Sequence, residues 1–260
     1  MTNNEKIIVS MTTISSRIDS ITPCLKSLLE QNYDNYEVIL NISESPYLID
    51  AGISKEIAQR EIPKDIKLSF VENTGPYRKL LPTLQNCSDN TPIITVDDDV
   101  IYPNNFISTL ITANSIYDCP IAFRGREITV NDKRINNYNG WKKNNLTGSG
   151  MAKLPTGKDG ILYRKRYFHK NVFNIDLAKK IAPTTDDIWF KWHTALNGFN
   201  SVLIFNSLLE SFDCVQTDGD SLFESFNKHT NNDHVIFNIE NYMKIHYGWT
   251  LYSEIKGSNE

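Results

Sequence analysis

The 260-residue chain has no apolar run approaching the roughly 20 residues that cross a bilayer, so no transmembrane helix is expected. The first residues, "MTNNEKIIVSMTT", carry no basic segment leading into an apolar one, and no secretory leader is expected. Cysteine is scarce and scattered: Cys24, Cys87, Cys119 and Cys214 form neither a CxxC pair nor a zinc spacing. Four reduced thiols in a cytoplasmic protein is the simple reading, which makes the sequon Asn145–Thr147 a chance match. Repeats and low-complexity tracts are absent. A net charge of −4 argues against general nucleic-acid affinity.

That charge is unevenly spread. Between Pro120 and Lys170 stand twelve Lys or Arg against three acids, Glu127, Asp132 and Asp159, a local balance of +9. A solvated loop region explains this. So does a basic lip, residues 120–170, that holds an anionic ligand or rests on an anionic membrane surface.

Strand and helix signals alternate through the first half. "KIIVSMTT" (Lys6–Thr13), "YEVILNI" (Tyr36–Ile42), "IKLSFV" (Ile66–Val71), "PIITVDDD" and "CPIAFRG" read as strands. Between them "TPCLKSLLEQN", with Thr22 as cap and Pro23 in the first turn, and "NNFISTLITANSIY" read as helices. The pattern predicts βαβ units, an α/β fold with a mainly parallel sheet covered on both faces. The second half is less regular. Asn131–Lys158 reads as loop or flap, "TTDDIWFKWHTALNG" as a helix stopped by Gly198, and Ser201–Phe205 as a late strand. Beyond about Asp218 the chain is polar and gives no clear element.

Asp97, Asp98 and Asp99 follow directly on the apolar strand "IITV". Ligands of open α/β sheets bind at the carboxyl ends of strands, and three carboxylates gathered there make sense if a divalent cation neutralises them. Mg²⁺ and Mn²⁺ favour hard oxygen donors, one or two carboxylates plus substrate phosphates. A phosphatase of the haloacid-dehalogenase type would need Thr two residues after the second Asp, where Ile101 stands. An EF-hand counted from Asp97 would need Gly and Glu where Tyr102 and Ser108 stand. A merely solvated acidic loop leaves the apolar strand before it unexplained.

Taken in order, "VSMTTISSRI", "VILNISE", "GPYRKLLPTL" and "TVDDDVIYP" resemble GT-A fold glycosyltransferases, above all bacterial family 2-type enzymes of surface-polysaccharide synthesis. The resemblance spans roughly Lys6 to Phe205 and implies a GT-A sheet flanked by helices, with an irregular acceptor-side second half. One domain over 1–260 is expected, divided near 125 into a nucleotide-sugar-binding half and an acceptor-binding half. The resemblance implies a nucleotide diphosphate sugar as donor, UDP-linked by default, and a carbohydrate or lipid-linked saccharide as acceptor. It also implies Mn²⁺ or Mg²⁺ as cofactor, and a place in the cytoplasm at the inner face of the membrane.

Residue by residue, the same resemblance implies Thr12, Thr13, Arg17, Glu44, Lys79, Asp97 and Asp98 for the nucleotide sugar, with Arg78 as a further candidate. It implies Asp99, assisted by Asp97, for the metal. His246 or His229 would supply a further metal ligand. Asp186 and Asp187 open the late helix, where acids favour the macrodipole in any case. The resemblance puts such a pair beside the acceptor sugar, with Asp187 favoured as the general base of an inverting displacement. Gly160, Tyr163 and Trp189 are its acceptor-side candidates, although Trp189 and Trp192 also suit core packing. Arg124 and Arg126 of "FRGR" either bind phosphate or decorate the rim. The alternative from another class is a non-catalytic GT-A-like domain that binds carbohydrate or assembles a complex.

Overall fold

A computed structural model describes residues 5–143, 146–204, 211–215 and 231–257. Twelve strands are formed among these: β1 (Ile7–Thr12), β2 (Tyr36–Ile42), β3 (Lys67–Phe70), β4 (Ile93–Thr95), β5 (Val100–Ile101), β6 (Ile121–Ala122), β7 (Gly125–Glu127), β8 (Gly148–Gly150), β9 (Lys153–Pro155), β10 (Ile161–Tyr163), β11 (Ser201–Leu203) and β12 (Asp213–Cys214). The helices are α1 (Thr22–Leu29), α2 (Lys55–Glu61), α3 (Leu81–Gln85), α4 (Phe106–Tyr117), α5 (Ile175–Ile181), α6 (Asp186–Leu196), α7 (Asn231–Tyr247) and α8 (Leu251–Gly257).

Eight strands make the central sheet in the order β3-β2-β1-β4-β10-β6-β11-β8. β1 to β4 pair in parallel, as does β6 with β11, while β10 runs antiparallel between β4 and β6. Apolar residues cover both faces. On β1, Ile7, Val9 and Met11 join one core, with Leu25, Leu28, Phe106 and Leu110, while Ile8 joins the other, with Leu80, Trp189, Phe190 and Trp192. That two-sided burial is why "KIIVSM" is apolar without alternation. β12 pairs with β5, and β7 with β9, as separate two-stranded ribbons.

Several expectations need correction. Thr22 is the first helical residue of α1, and Ile21, with no side-chain bond, holds the cap position, because Pro23 already suits the first turn without an amide donor. The segment Asn131–Lys158 contains β8 and β9, short strands built from glycine-rich or β-indifferent residues that carry no periodic signal. The polar C-terminal stretch folds into α7 and α8. Beside Asn232, α7 buries the apolar Val235, Ile236, Ile239 and Met243 on its inner stripe, too sparse a pattern to stand out from the sequence. His229 lies outside the described residues.

All four cysteines are free thiols, Cys214 alone being exposed. No helix among the described residues is long and apolar enough to cross a membrane.

Among the described residues the core holds an uncompensated cation. Lys191 of α6 is buried, its ammonium donates to Ser201 Oγ at 3.2 Å, and burial lowers its pKa to about 7. An unfolded lysine keeps its proton to about pH 10.4. The unfolded chain therefore binds an extra proton between about pH 7 and 10.4, and stability rises with pH across that window. Lys191→Met fills the same volume without the charge. Chemical denaturation at pH 7 should show it about 1–3 kcal/mol more stable than wild type, with the gain shrinking toward pH 10. A less stable variant would refute the assignment.

Candidate active site

The carboxyl ends of β1 and β4 open into a cleft of about 770 Å³. Its lining includes Thr12, Thr13, Arg17, Lys79, Asp97, Asp98, Asp99, Gly157, Asp186 and Asp187, gathered from segments far apart in sequence.

Lys79 is placed first by its backbone. It ends a 3₁₀ turn, Gly75–Lys79, in which Gly75 takes a left-handed φ of +63°. Ser10 Oγ of β1 donates to the Lys79 carbonyl at 2.6 Å, and Ser10 shares a buried hydroxyl and amide cluster with Asn41 and Thr83. The Tyr77 hydroxyl donates to the Ala182 carbonyl at 2.6 Å, tying the turn to the segment before α6. These anchors bring the Lys79 ammonium to 3.2 Å from Asp97 Oδ1 and 3.4 Å from Asp186 Oδ2. Burial works against its charge, but Asp186, Asp97 and Asp187 outweigh burial and hold its pKa well above the ordinary lysine value. Lys79 is therefore a fixed cation.

The three consecutive aspartates have distinct environments. Asp98 is buried and fully engaged: Thr13 Oγ1 donates to its Oδ2 at 2.7 Å and Arg17 Nη1 to its Oδ1 at 2.7 Å. Asp97 faces Lys79. Asp99 keeps a 3.4 Å contact with Arg17, and its side chain remains 35% exposed. Burial, followed by the charges of Asp97 and Asp98, raises its pKa. Asp98 thus acts as a bracket that holds the Thr13 and Arg17 loop. Asp98→Ala should lower unfolding free energy by about 2 kcal/mol or more, because Arg17 loses its better partner in a buried setting. A denaturation midpoint unchanged from wild type would contradict this.

Asp186 and Asp187 open α6, where carboxylates complement the helix dipole. Their pKa values move the other way from that benefit. Burial first, and then Asp186, raises Asp187 to about 7, and burial raises Asp186 although Lys79 pulls it down. The Gly157 amide donates to Asp187 Oδ2 at 3.0 Å, whereas Asp187 Oδ1 is buried without a hydrogen-bond partner. Gly157 is a residue that sequence reading missed. A Cβ there would come within 2.6 Å of Lys79 Nζ and 3.4 Å of Asp187 Oδ1, so a larger residue would push the lysine ammonium from its place beside Asp97 and Asp187. Its only sequence signal is a glycine in "PTGKDG", just before the charged pair Lys158-Asp159.

Other expected residues are engaged within the fold or stand away from the cleft. Thr12 lines it, but its hydroxyl already donates to Asn41 O at 2.7 Å. Glu44 is an exposed rim residue, 3.7 Å from Lys55, and is not among the lining residues. The buried acid of that loop is Asp50, which binds Arg78 at 2.9 Å and accepts from Ser15 N and Asn73 Nδ2. Arg78 is thereby consumed inside the fold. Gly160 adopts a φ of +88° with the Phe106 ring where a Cβ would lie, so its role is conformational. Tyr163 packs on Phe168 and Phe190, and Trp189 is fully buried with its indole donating to Val172 O at 3.0 Å. Both belong to the core because their aromatic area is what fills it. His246 sits on the exposed side of α7, stacked on Tyr242 at 4.4 Å, and does not line the cleft.

The donor set suits a hard divalent cation. Among the described residues no three His, Cys, Asp or Glu side chains form a ready cage. Asp97 and Asp99 nonetheless present carboxylate oxygens, and burial followed by their mutual repulsion raises the Asp99 pKa. Mg²⁺ and Mn²⁺ are commonly held by one or two carboxylates together with substrate phosphates.

A mainly parallel sheet interrupted by antiparallel β10 and edged by antiparallel β8, with clustered aspartates at the strand ends, defines the GT-A class of α/β proteins. Residues 9–173, more than half of the chain, match the profile of Glycosyl transferase family 2, and the chain belongs to that family. Among solved structures it is similar to the mannosyltransferase PcManGT of Pyrobaculum calidifontis, in complex with GDP-Man and Mn²⁺ (TM-score 0.53, 13% identity, 92% of this chain and 64% of that one). It is also similar to S. aureus TarS 1-349 (TM-score 0.46, 15% identity, 91% and 66%). The chain thus spans somewhat less than two thirds of the length of those two structures. No curated protein matches it.

Proposed function

We propose that this cleft transfers a hexosyl group from a nucleotide diphosphate donor, a UDP-sugar in the first instance, to a carbohydrate or lipid-linked saccharide acceptor. Surface-polysaccharide synthesis at the cytoplasmic face of the membrane is the setting. Residues up to about 125 handle the donor, and those from about 126 the acceptor. The observation that carries the reading is Asp187: a carboxylate with a pKa near 7, one oxygen fixed by Gly157 N and the other buried without a partner. That is what a general base needs before its substrate arrives.

In the proposed reaction Asp187 Oδ1 takes the proton of the acceptor hydroxyl as that oxygen attacks the anomeric carbon. The bond from the anomeric carbon to the diphosphate oxygen breaks, and the nucleotide diphosphate leaves with the electron pair. One displacement inverts the anomeric centre. Lys79 faces the departing phosphate, and its buried, permanently protonated ammonium stabilises the charge that develops there. Arg17 and Thr13 hold the aspartate loop in place through Asp98. Asp99 and Asp97 would hold Mn²⁺ or Mg²⁺, which when bound compensates the diphosphate charge. The fold accommodates such a pair in PcManGT, solved with GDP-Man and Mn²⁺.

A panel of UDP-, GDP- and dTDP-sugars, assayed for nucleotide diphosphate release with and without Mn²⁺, tests this. One donor should be turned over in a metal-dependent manner. Binding of none of the nucleotide diphosphates, with or without metal, would favour a domain that keeps the fold and has lost the chemistry.

A further inference from the structure

The cleft has a second charged group that the donor chemistry leaves unused. Antiparallel pairing of β7 with β9 sets Gly125 opposite Pro155 and Arg126 opposite Leu154. Thr156 N donates to Arg124 O at 3.1 Å and Glu127 N to Lys142 O at 3.0 Å. These bonds hold Arg124, Arg126 and Lys143 beside the segment Thr156-Gly157-Lys158, and all six residues line the cleft. The Gly157 amide in that segment is the one bound to Asp187. The cations therefore share the cleft with the base, beside the segment whose Gly157 amide binds it.

Their partners are few. Arg124 pairs with Asp159, a fully buried carboxylate held at a left-handed φ of +71°. Arg126 lies over the Tyr138 ring at 4.1 Å and donates to the Tyr138 carbonyl at 3.3 Å. Among the described residues no acid lies within ion-pair distance of Arg126, Lys143 or Lys158; the nearby Glu127 is engaged by Lys142 and Lys153. Tyr138 thus fixes the plane of a guanidinium that keeps N–H donors for a planar anion. The aspartate part of the cleft is charged in the opposite sense. Among the described residues, Asp97, Asp98, Asp99, Asp186 and Asp187 are answered by Arg17, Lys79 and, at Asp99, the charge of Lys158, a deficit that a divalent cation fills. A metal-bound diphosphate therefore leaves Arg126 and Lys143 unmatched.

We infer that the acceptor is an anionic glycan, bearing a phosphate or carboxylate close to the hydroxyl that Asp187 activates, and that Arg126 and Lys143 recognise this group. The inference rests on the reading of the cleft as a sugar-transfer site. A flat bilayer surface does not reach residues lining a cleft beside Asp187, which favours a soluble or extended glycan chain over lipid headgroups as the source of the charge.

The test probes the full chain on an array of neutral, uronate-bearing and phosphorylated oligosaccharides, in parallel with titration of UDP and GDP in the presence of Mn²⁺. Wild type should retain phosphorylated or uronate glycans over neutral ones, with retention falling as salt rises from about 0.1 to 1 M and the screening length shrinks from about 10 to 3 Å. The two glycan classes separate phosphate from carboxylate as the recognised group. Arg126→Gln and Lys143→Gln together should weaken anionic-glycan binding about tenfold or more. Nucleotide diphosphate affinity should stay within about twofold, since each charged contact is worth roughly that tenfold factor and none is lost on the donor side. Either single variant, Lys143→Gln at an exposed side chain of the cleft wall, checks that the loss does not come from misfolding. Equal retention of neutral and anionic glycans, no retention of anionic ones, or wild-type retention by the double variant would each overturn the inference. So would a double variant that loses nucleotide diphosphate instead, which would hand these cations to the donor. Failure of wild type to bind any nucleotide diphosphate would instead strike at the transfer reading itself.

Discussion

Asp187→Asn should leave nucleotide diphosphate binding intact and lower transfer by about a hundred- to ten-thousand-fold, the range that one positioned general base contributes. The amide keeps the geometry, because its carbonyl oxygen still accepts from Gly157 N, but it takes no proton. Wild-type turnover should rise with pH through about 7 as Asp187 ionises, and the residual activity of the variant should lose that limb. Stability gives an independent check. A folded pKa near 7, above the roughly 3.9 of an unfolded aspartate, means that the folded chain binds the proton more tightly. Deprotonation therefore costs the wild type stability progressively from about pH 4 to 7, and the full cost is present above pH 7. Asn escapes this cost. At pH 8 the variant should melt no lower than wild type while being nearly inactive, a combination that simple structural damage does not produce. An active variant with an unaltered pH profile would place the base elsewhere.

The part of the cleft around Asp97–Asp99 and Lys79 was legible in the sequence because its chemistry is local. "TVDDDVIYP" combines a buried strand with three carboxylates, and the strand end fixes where those carboxylates go. "GPYRK" likewise carries its own turn, and Lys79 arrives in the cleft through backbone bonds formed within that turn and with β1. The far wall of the cleft and the second half of the chain were opaque for a physical reason. β10, with only three residues, is held by its neighbours β4 and β6, so pairing and not propensity defines it. Aromatic side chains near a sugar site and aromatic side chains in a core look identical in sequence, and Tyr163 and Trp189 went to the core. Glu44 and Asp50 illustrate a different limit. Both follow β2, and which of them turns inward depends on Arg78 and Asn73, more than twenty residues later in the chain. Gly157 mattered through the atoms its missing side chain leaves room for, and nothing in the residue itself announces them. The basic excess of Pro120–Lys170 was visible as a number. Only the β7–β9 pairing shows that part of it enters the cleft and the rest does not.

Asp99→Ala should abolish metal-stimulated transfer, by about a hundredfold or more, while leaving the fold unchanged. The reasoning separates Asp99 from its two neighbours. Asp98 has both oxygens committed to Thr13 and Arg17, and Asp97 shares its Oδ1 with Lys79. Asp99 has only a long contact with Arg17 and is the most exposed of the three. Its removal relieves the repulsion that helps raise its own pKa, so the melting temperature should hold or rise. Calorimetric titration with Mn²⁺ in the presence of UDP or GDP reads the metal directly. The wild type should show metal-dependent nucleotide binding and Asp99→Ala should lose it, whereas Asp98→Ala should keep it in whatever fraction remains folded. Mn²⁺-dependent binding surviving in Asp99→Ala would move the metal to Asp97 and the diphosphate alone. The opposite pattern, with Asp98 as the residue the metal needs, would mean that the Arg17 bracket opens when the donor binds, and the aspartate loop would then be a moving part of the site.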